Sequence, residues 1–233
     1  MRILFAALAV LCAAFAAETI RIDVAQEKPG AEPKHFIPVV GYWTVAADGA
    51  KSILAVDGRQ WKKNEPSAGL ADKARLIYGS RHEEFIDNVK AWAYYPYAVA
   101  QGIDNFSNGE ISVRFQMVDG ALDRCAGILF NLKPNGDYLA VRYNGTEDNL
   151  VLWTFNKGVR KFVKGAPVDP PLQKKEWYTM KIAVHGKALE GSLNGKKWLD
   201  YTLAEPVAGK VGVWSKTDSV SYFDEYVVTP DDH

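Results

Sequence analysis

Arg142, Asn144, Glu147 and Asn149 lie within a few positions of one another and make the chain's strongest case for chemistry. A guanidinium can hold a keto or hydroxyl oxygen, two carboxamides can orient hydroxyls, and a carboxylate between them can act as a base. Tyr138 and Trp153 flank the group. Aromatic and amide groups around one arginine suit a saccharide. The competing reading is a solvated hairpin tip, with Arg142 paired to Glu147 or Asp148.

These residues need a hairpin to bring them together, and the stretch from Asp137 to Phe155 supplies one. Side chains alternate across a strand. Tyr138, Ala140, Arg142 and Asn144 therefore share one face, and Leu139, Val141 and Tyr143 the other. Turn-forming residues occupy Gly145 to Asp148. A four-residue loop there sets Asn149 opposite Asn144, Val151 opposite Arg142 and Trp153 opposite Ala140. Leu150 and Leu152 then join Val141 and Tyr143 on the apolar face, and this agreement fixes the register. The other face carries Tyr138, Arg142, Asn144, Asn149, Trp153 and Phe155. It is either open to a ligand or covered by other chain. Further on, Trp214 and Lys216 share one parity. They either extend the ligand face, or Trp214 is core and Lys216 surface.

The remaining elements read as strands with one exception. Ile20 to Val24 alternates, and Phe36 to Val45 and Ser52 to Val56 flank the turn Asp48-Gly49. From Glu65 to Trp92 the periodicity is helical. Pro66 and Ser67 precede a helix over Leu70 to Tyr78 that Gly79 stops, and Ser80 with Glu83 fits a capping box before Phe85, Ile86, Val89 and Trp92. Pro96 ends any helix within Tyr94-Tyr95-Pro96-Tyr97, a cluster that lines a cleft or packs in the core. The stretches Ile111 to Met117, Ala126 to Leu132, Thr179 to Val184, Val211 to Lys216 and Val220 to Val228 read as strands. Asn194-Gly195 is a hairpin turn, and Pro167, Pro170 and Pro171 impose a loop. The expected fold class is all-β, a sandwich or jelly roll with a short helical insertion at about 66–92, forming a single domain over 17–233.

The first residues place Met1-Arg2 before an apolar run, Ile3 to Phe15, that ends Ala14-Phe15-Ala16. This is the pattern of a secretory signal peptide over 1–16, with cleavage after Ala16 or Ala17, so a secreted or periplasmic protein is expected. Cleavage removes Cys12 and leaves Cys125, which cannot form an internal disulfide and reads as a buried thiol. Lys+Arg 28 balances Asp+Glu 28, so no net field draws the protein to nucleic acid or an anionic membrane. A monomer without a membrane span is expected. His35, His82, His185 and His233 are too scattered for a zinc motif, and no phosphate loop or nucleophile elbow is present.

Several stretches together resemble a family. They are Asp123 to Ile128 (DRCAGI), Asp137 to Arg142 (DYLAVR), Glu147 to Leu150 (EDNL), Leu193 to Lys196 (LNGK), Gly209 to Trp214 (GKVGVW) and Tyr222 to Glu225 (YFDE). The order of elements is similar to the concanavalin A-like jelly roll, and more narrowly to bacterial domains described as 3-keto-disaccharide hydrolases, or family 16-like glycoside hydrolase domains. The resemblance implies carbohydrate or glycoside binding, with lysis of a 3-keto-glycoside as the associated reaction. True family 16 enzymes set two glutamates and an aspartate on one strand, because two carboxylates must flank the scissile bond. That run is absent here, and Asp224 and Glu225 are adjacent, so they point to opposite faces. The resemblance also implies a structural calcium with Asp224 as a ligand; the alternative is an aspartate capping a turn. A cell-envelope interaction domain without a small ligand is the competing class.

Overall fold

The run from Phe36 to Val45 reads as one strand but is divided between two sheets. Phe36–Val40 (β2) pairs in one, and Trp43–Asp48 (β3) pairs in the other. A computed structural model describes residues 18–61, 67–89 and 94–231. The proposed signal peptide, Pro66 and Trp92 lie outside the described residues.

The first sheet contains β3, Lys51–Asp57 (β4), Gly109–Asp119 (β6), Trp177–His185 (β11), Ala188–Leu193 (β12), Lys196–Thr202 (β13) and Val220–Pro230 (β15). Its order is β13-β12-β11-β6-β15-β4-β3, and Ile20–Ile22 (β1) pairs with β15. The second contains β2, Tyr97–Ala100 (β5), Cys125–Leu132 (β7), Tyr138–Asn144 (β8), Asn149–Asn156 (β9), Val159–Pro167 (β10) and Lys210–Trp214 (β14), in the order β10-β9-β8-β7-β14-β5-β2. All pairings within both sheets are antiparallel. The fold is an all-β jelly-roll sandwich with a short helical insertion.

Alternation builds the core between the sheets. Ile111, Val113, Phe115 and Met117 on β6 point inward against Ile128, Phe130, Val141 and Leu152 of the second sheet. The hairpin β8–β9 has the register its sequence sets: Asn144 pairs with Asn149, Arg142 with Val151 and Ala140 with Trp153.

The second sheet is apolar on its outer face as well. Leu70–Tyr78 (α1) and His82–Asn88 (α2) bring Ala74, Ile77 and Phe85 onto Leu129, Tyr138, Ala140 and Phe155. Two covered faces explain why Ala126 to Leu132 is almost continuously apolar. Gly79, at φ 54°, ends α1 in a conformation that costs other residues a Cβ clash. The expected capping box is absent. Ser80 sits inside a 3-10 turn, α2 starts two residues later, and its first turn has no side-chain cap.

Candidate functional site

Outward-facing residues at one end of the second sheet carry the candidate chemistry. Arg142 is 1% exposed. One terminal nitrogen donates to Glu147 Oε2 at 2.6 Å, and the other to the backbone and side-chain oxygens of Asn149. Glu147 remains nearly half exposed. Burial would raise its carboxyl, but the Arg142 guanidinium, hydrogen bonds from Arg142 and Asn149, and the charge of Lys216 outweigh burial and hold it below the ordinary value. Glu147 is thus a carboxylate at neutral pH, and a weaker base for that pairing.

Beside this pair lies a buried polar knot. Asp123 Oδ1 accepts hydrogen bonds from Asn144 Nδ2 and Lys216 Nζ, both at 2.8 Å, and Asp123 Oδ2 accepts one from Thr217 at 2.6 Å. Asn144 Oδ1 accepts from the backbone of Arg124 and Thr146. Asp218 fixes the approach to Asp123 by accepting from the N–H groups of Ala121, Leu122 and Asp123. Burial opposes its charge, but these three donors hold its carboxyl below the ordinary value. Gly127 makes the close packing above it possible, since it pairs with Arg142 on β8 and Trp214 on β14. A Cβ there would stand 2.9 Å from Arg142 Cβ and 2.7 Å from the Val141 carbonyl oxygen.

Aromatic rings border the charged group. Arg160 of β10 lies over the Trp153 ring at 4.1 Å and over Tyr95 at 5.5 Å, and Phe162 meets Trp153 edge-on at 5.7 Å. Tyr95 contacts Tyr94 at 4.5 Å, and Tyr94 contacts Trp61 at 5.5 Å. Trp61, Tyr94, Tyr95 and Trp153 are all half-buried, and Phe162 is exposed. Trp153 Nε1 and Arg142 Nε are buried without a hydrogen-bond partner among the described residues.

The expected site residues divide into two groups. Glu147, Asn149 and Trp153 come together at the surface around the buried Arg142. Tyr138, Asn144, Trp214 and Lys216 lie beneath it. Tyr138 stacks on Phe155 at 4.3 Å, and the buried Trp214 donates to the Tyr138 hydroxyl at 3.3 Å under the Tyr95 ring. Trp214 is therefore core, and Lys216 is a buried partner of Asp123, not a surface group. The outer face is closed at the Tyr138 end because α1, α2 and Tyr95 cover it. At Asp224, where the resemblance implies calcium, the structure places basic side chains. The Asp224 carboxylate accepts from Lys51 Nζ at 2.7 Å and lies 3.6 Å from Arg114, so two cations already balance it. No group of three or more potential metal-ligating side chains occurs among the described residues.

The sequence reading missed Arg160, Phe162 and the strand β10 that carries them. Arg160, Phe162 and Lys164 on an otherwise mixed stretch gave no clean alternation, because a bulge between Phe162 and Lys164 breaks the period.

Solved structures share this architecture. The carbohydrate-binding module CBM66 from Bacillus subtilis superposes with TM-score 0.59 at 10% identity, over 86% of this chain and 99% of that one. A Bacillus subtilis protein of unknown function with a galectin-like fold gives 0.53 at 12%, over 88% and 99%. The apo Crh5 transglycosylase gives 0.53 at 13%, over 92% and 85%. At these identities the likeness is one of fold. No protein-family model and no curated protein matches the chain, so the narrower resemblance to 3-keto-disaccharide hydrolases has no family match.

Proposed function

We propose that this is an exported carbohydrate- or glycoside-binding jelly roll whose ligand lies on the outer face of its second sheet, beside Trp153. One observation carries the reading: two groups of solvent-accessible rings, Trp61–Tyr94–Tyr95 and Trp153–Phe162, are bridged by Arg160 over Tyr95 and Trp153 and lie alongside the Arg142–Glu147–Asn149 group. Aromatic rings supply apolar area for the faces of a sugar, and fixed polar groups orient its hydroxyls. The buried, unpartnered nitrogens of Arg142 and Trp153 are donors in search of an acceptor, and a small local rearrangement would offer them one. Among the described residues no helix is long and apolar enough to cross a membrane, which is compatible with export.

Binding is favoured over cleavage. Starting the elimination of a 3-keto-glycoside would ask Glu147 to take a proton, and the ion pair that fixes this carboxylate also lowers its affinity for one. Calorimetric titration of a saccharide panel tests the proposal. A panel member should bind, and Trp153→Ala should weaken it by about tenfold or more. Absence of binding across the panel would move the assignment to a protein-interaction domain of the cell envelope. Turnover of a 3-keto-disaccharide that is lost in Glu147→Gln would restore the enzyme.

A further inference from the structure

Positive charge is concentrated on the hairpin β9–β10. From Asn149 to Val168 the sequence has no Asp or Glu, yet it has Lys157, Arg160, Lys161 and Lys164. The chain overall balances 28 basic residues against 28 acidic ones, so this excess is local. Among the described residues, none of the four side chains forms an ion pair, although Arg142 on β8 and Lys197 on β13, the neighbouring strands, do. Arg160 instead lies over the rings of Trp153 and Tyr95, which hold its guanidinium in place and leave its N–H groups without a protein acceptor among the described residues. A guanidinium fixed in this way presents a planar fork that matches a carboxylate or sulfate.

A cleft of about 500 Å³ opens beside the same strand, between the edges of the two sheets. Lys133, Lys161 and Tyr201 line it, with Asp137 and Glu205. Asp137 accepts from the Lys157 backbone at 2.8 Å and from Asn135 at 3.0 Å, which turns its oxygens away from a ligand although these neutral donors leave its charge, and that of Glu205, in the cleft. Phe162 belongs to both surfaces: it lines the cleft and meets Trp153 edge-on.

We propose that β10 is the crossing point of an acidic saccharide chain. Arg160 binds a uronate carboxylate or sulfate ester on the Trp153 side, Phe162 supports the sugar ring at the strand, and Lys161 with Lys133 meets the next acidic group in the cleft. The proposal rests on the saccharide reading above and adds the charge and length of the ligand. A neutral sugar could accept hydrogen bonds from Arg160 but would leave the local excess of positive charge on this hairpin unanswered.

Affinity electrophoresis and calorimetry with polygalacturonate, dextran sulfate and unmodified dextran test it. One of the two acidic polymers should bind at least about tenfold tighter than dextran at low salt, and the advantage should shrink as salt screens it. The acidic polymer preferred identifies the group as carboxylate or sulfate. Arg160→Gln should remove about tenfold of the acidic binding while lowering the melting temperature by no more than about 2–4 °C, the loss of its ring contacts. Phe162→Ala, at an exposed position, should weaken the same polymer. Equal binding of dextran and both acidic polymers, with Arg160→Gln silent, overturns the acidic ligand and leaves the saccharide reading standing. Binding of none of the three overturns the acidic ligand, and the saccharide panel above then decides the wider reading. Acidic binding indifferent to Phe162→Ala, or matched by double-stranded DNA, reduces the effect to charge attraction and overturns the crossing.

Discussion

Arg142 shows how one buried cation sets the behaviour of its neighbours. It is almost fully buried, while its partner Glu147 is nearly half exposed, so the pair is screened on one side only. Glu147→Gln should cost about 1 kcal/mol near neutral pH, a figure reduced by that exposure. In a chain of this size that is a fall of about 2–4 °C in melting temperature. The sign of its pH dependence follows from the lowered carboxyl. Between the folded value and the ordinary value of 4.5, the unfolded chain binds more protons than the folded one. The stabilisation is thus fully present above 4.5 and is lost as pH falls through the folded value. Melting curves of wild type and Glu147→Gln should be separated at pH 7 and converge on acidification; a gap that stays constant would show that Arg142 does not hold Glu147 in its charged form.

At the level of strands, the site depends on how closely β7, β8 and β14 approach one another. Gly127 leaves the space that Arg142 fills and pairs with Trp214 on β14; among the described residues these are the two largest fully buried side chains. Gly127→Val would press against the Val141 carbonyl and the Arg142 Cβ, one of them backbone that cannot swing aside. A loss of about 2 kcal/mol or more is expected, with saccharide binding lost alongside it. Chemical denaturation and titration of the variant check both, and wild-type values would disprove the crowding argument. The register of β8–β9 was legible beforehand, because alternation and turn length both pointed to it. The strand β10 was not, because a bulge hides its period. The Phe36 to Val45 run gave no sign that its halves join different sheets, since the break at Gly41-Tyr42 leaves the apolar composition unchanged.

Over the whole molecule, stability rests on packing between two sheets and beneath a helical cover, with Cys125 buried as a free thiol. Burial pushes this thiol up to about 12, against the smaller opposing influence of Arg142 and Lys216. Few thiolates then exist at pH 8, and none is reachable. Cys125 should resist iodoacetamide in the folded protein and react fully once denaturant unfolds it, as mass spectrometry would read directly. Rapid labelling of the native protein would mean that the sandwich opens at β7.

The sequence by itself determined the all-β class, the hairpin register and the identity of the inward-facing residues. These follow from a two-residue period that most strands, though not the bulged β10 or the doubly covered β7, carry in their own side chains. It also brought Arg142, Glu147, Asn149 and Trp153 to one face, because they belong to a single hairpin. Only the tertiary structure decided what covers that face. Helices from a distant segment close the Tyr138 and Trp214 end, and Arg160 of β10 joins Trp153 at the other. Periodicity states which residues share a side of a sheet, but whether that side meets water or another element depends on contacts between parts of the chain far apart in sequence.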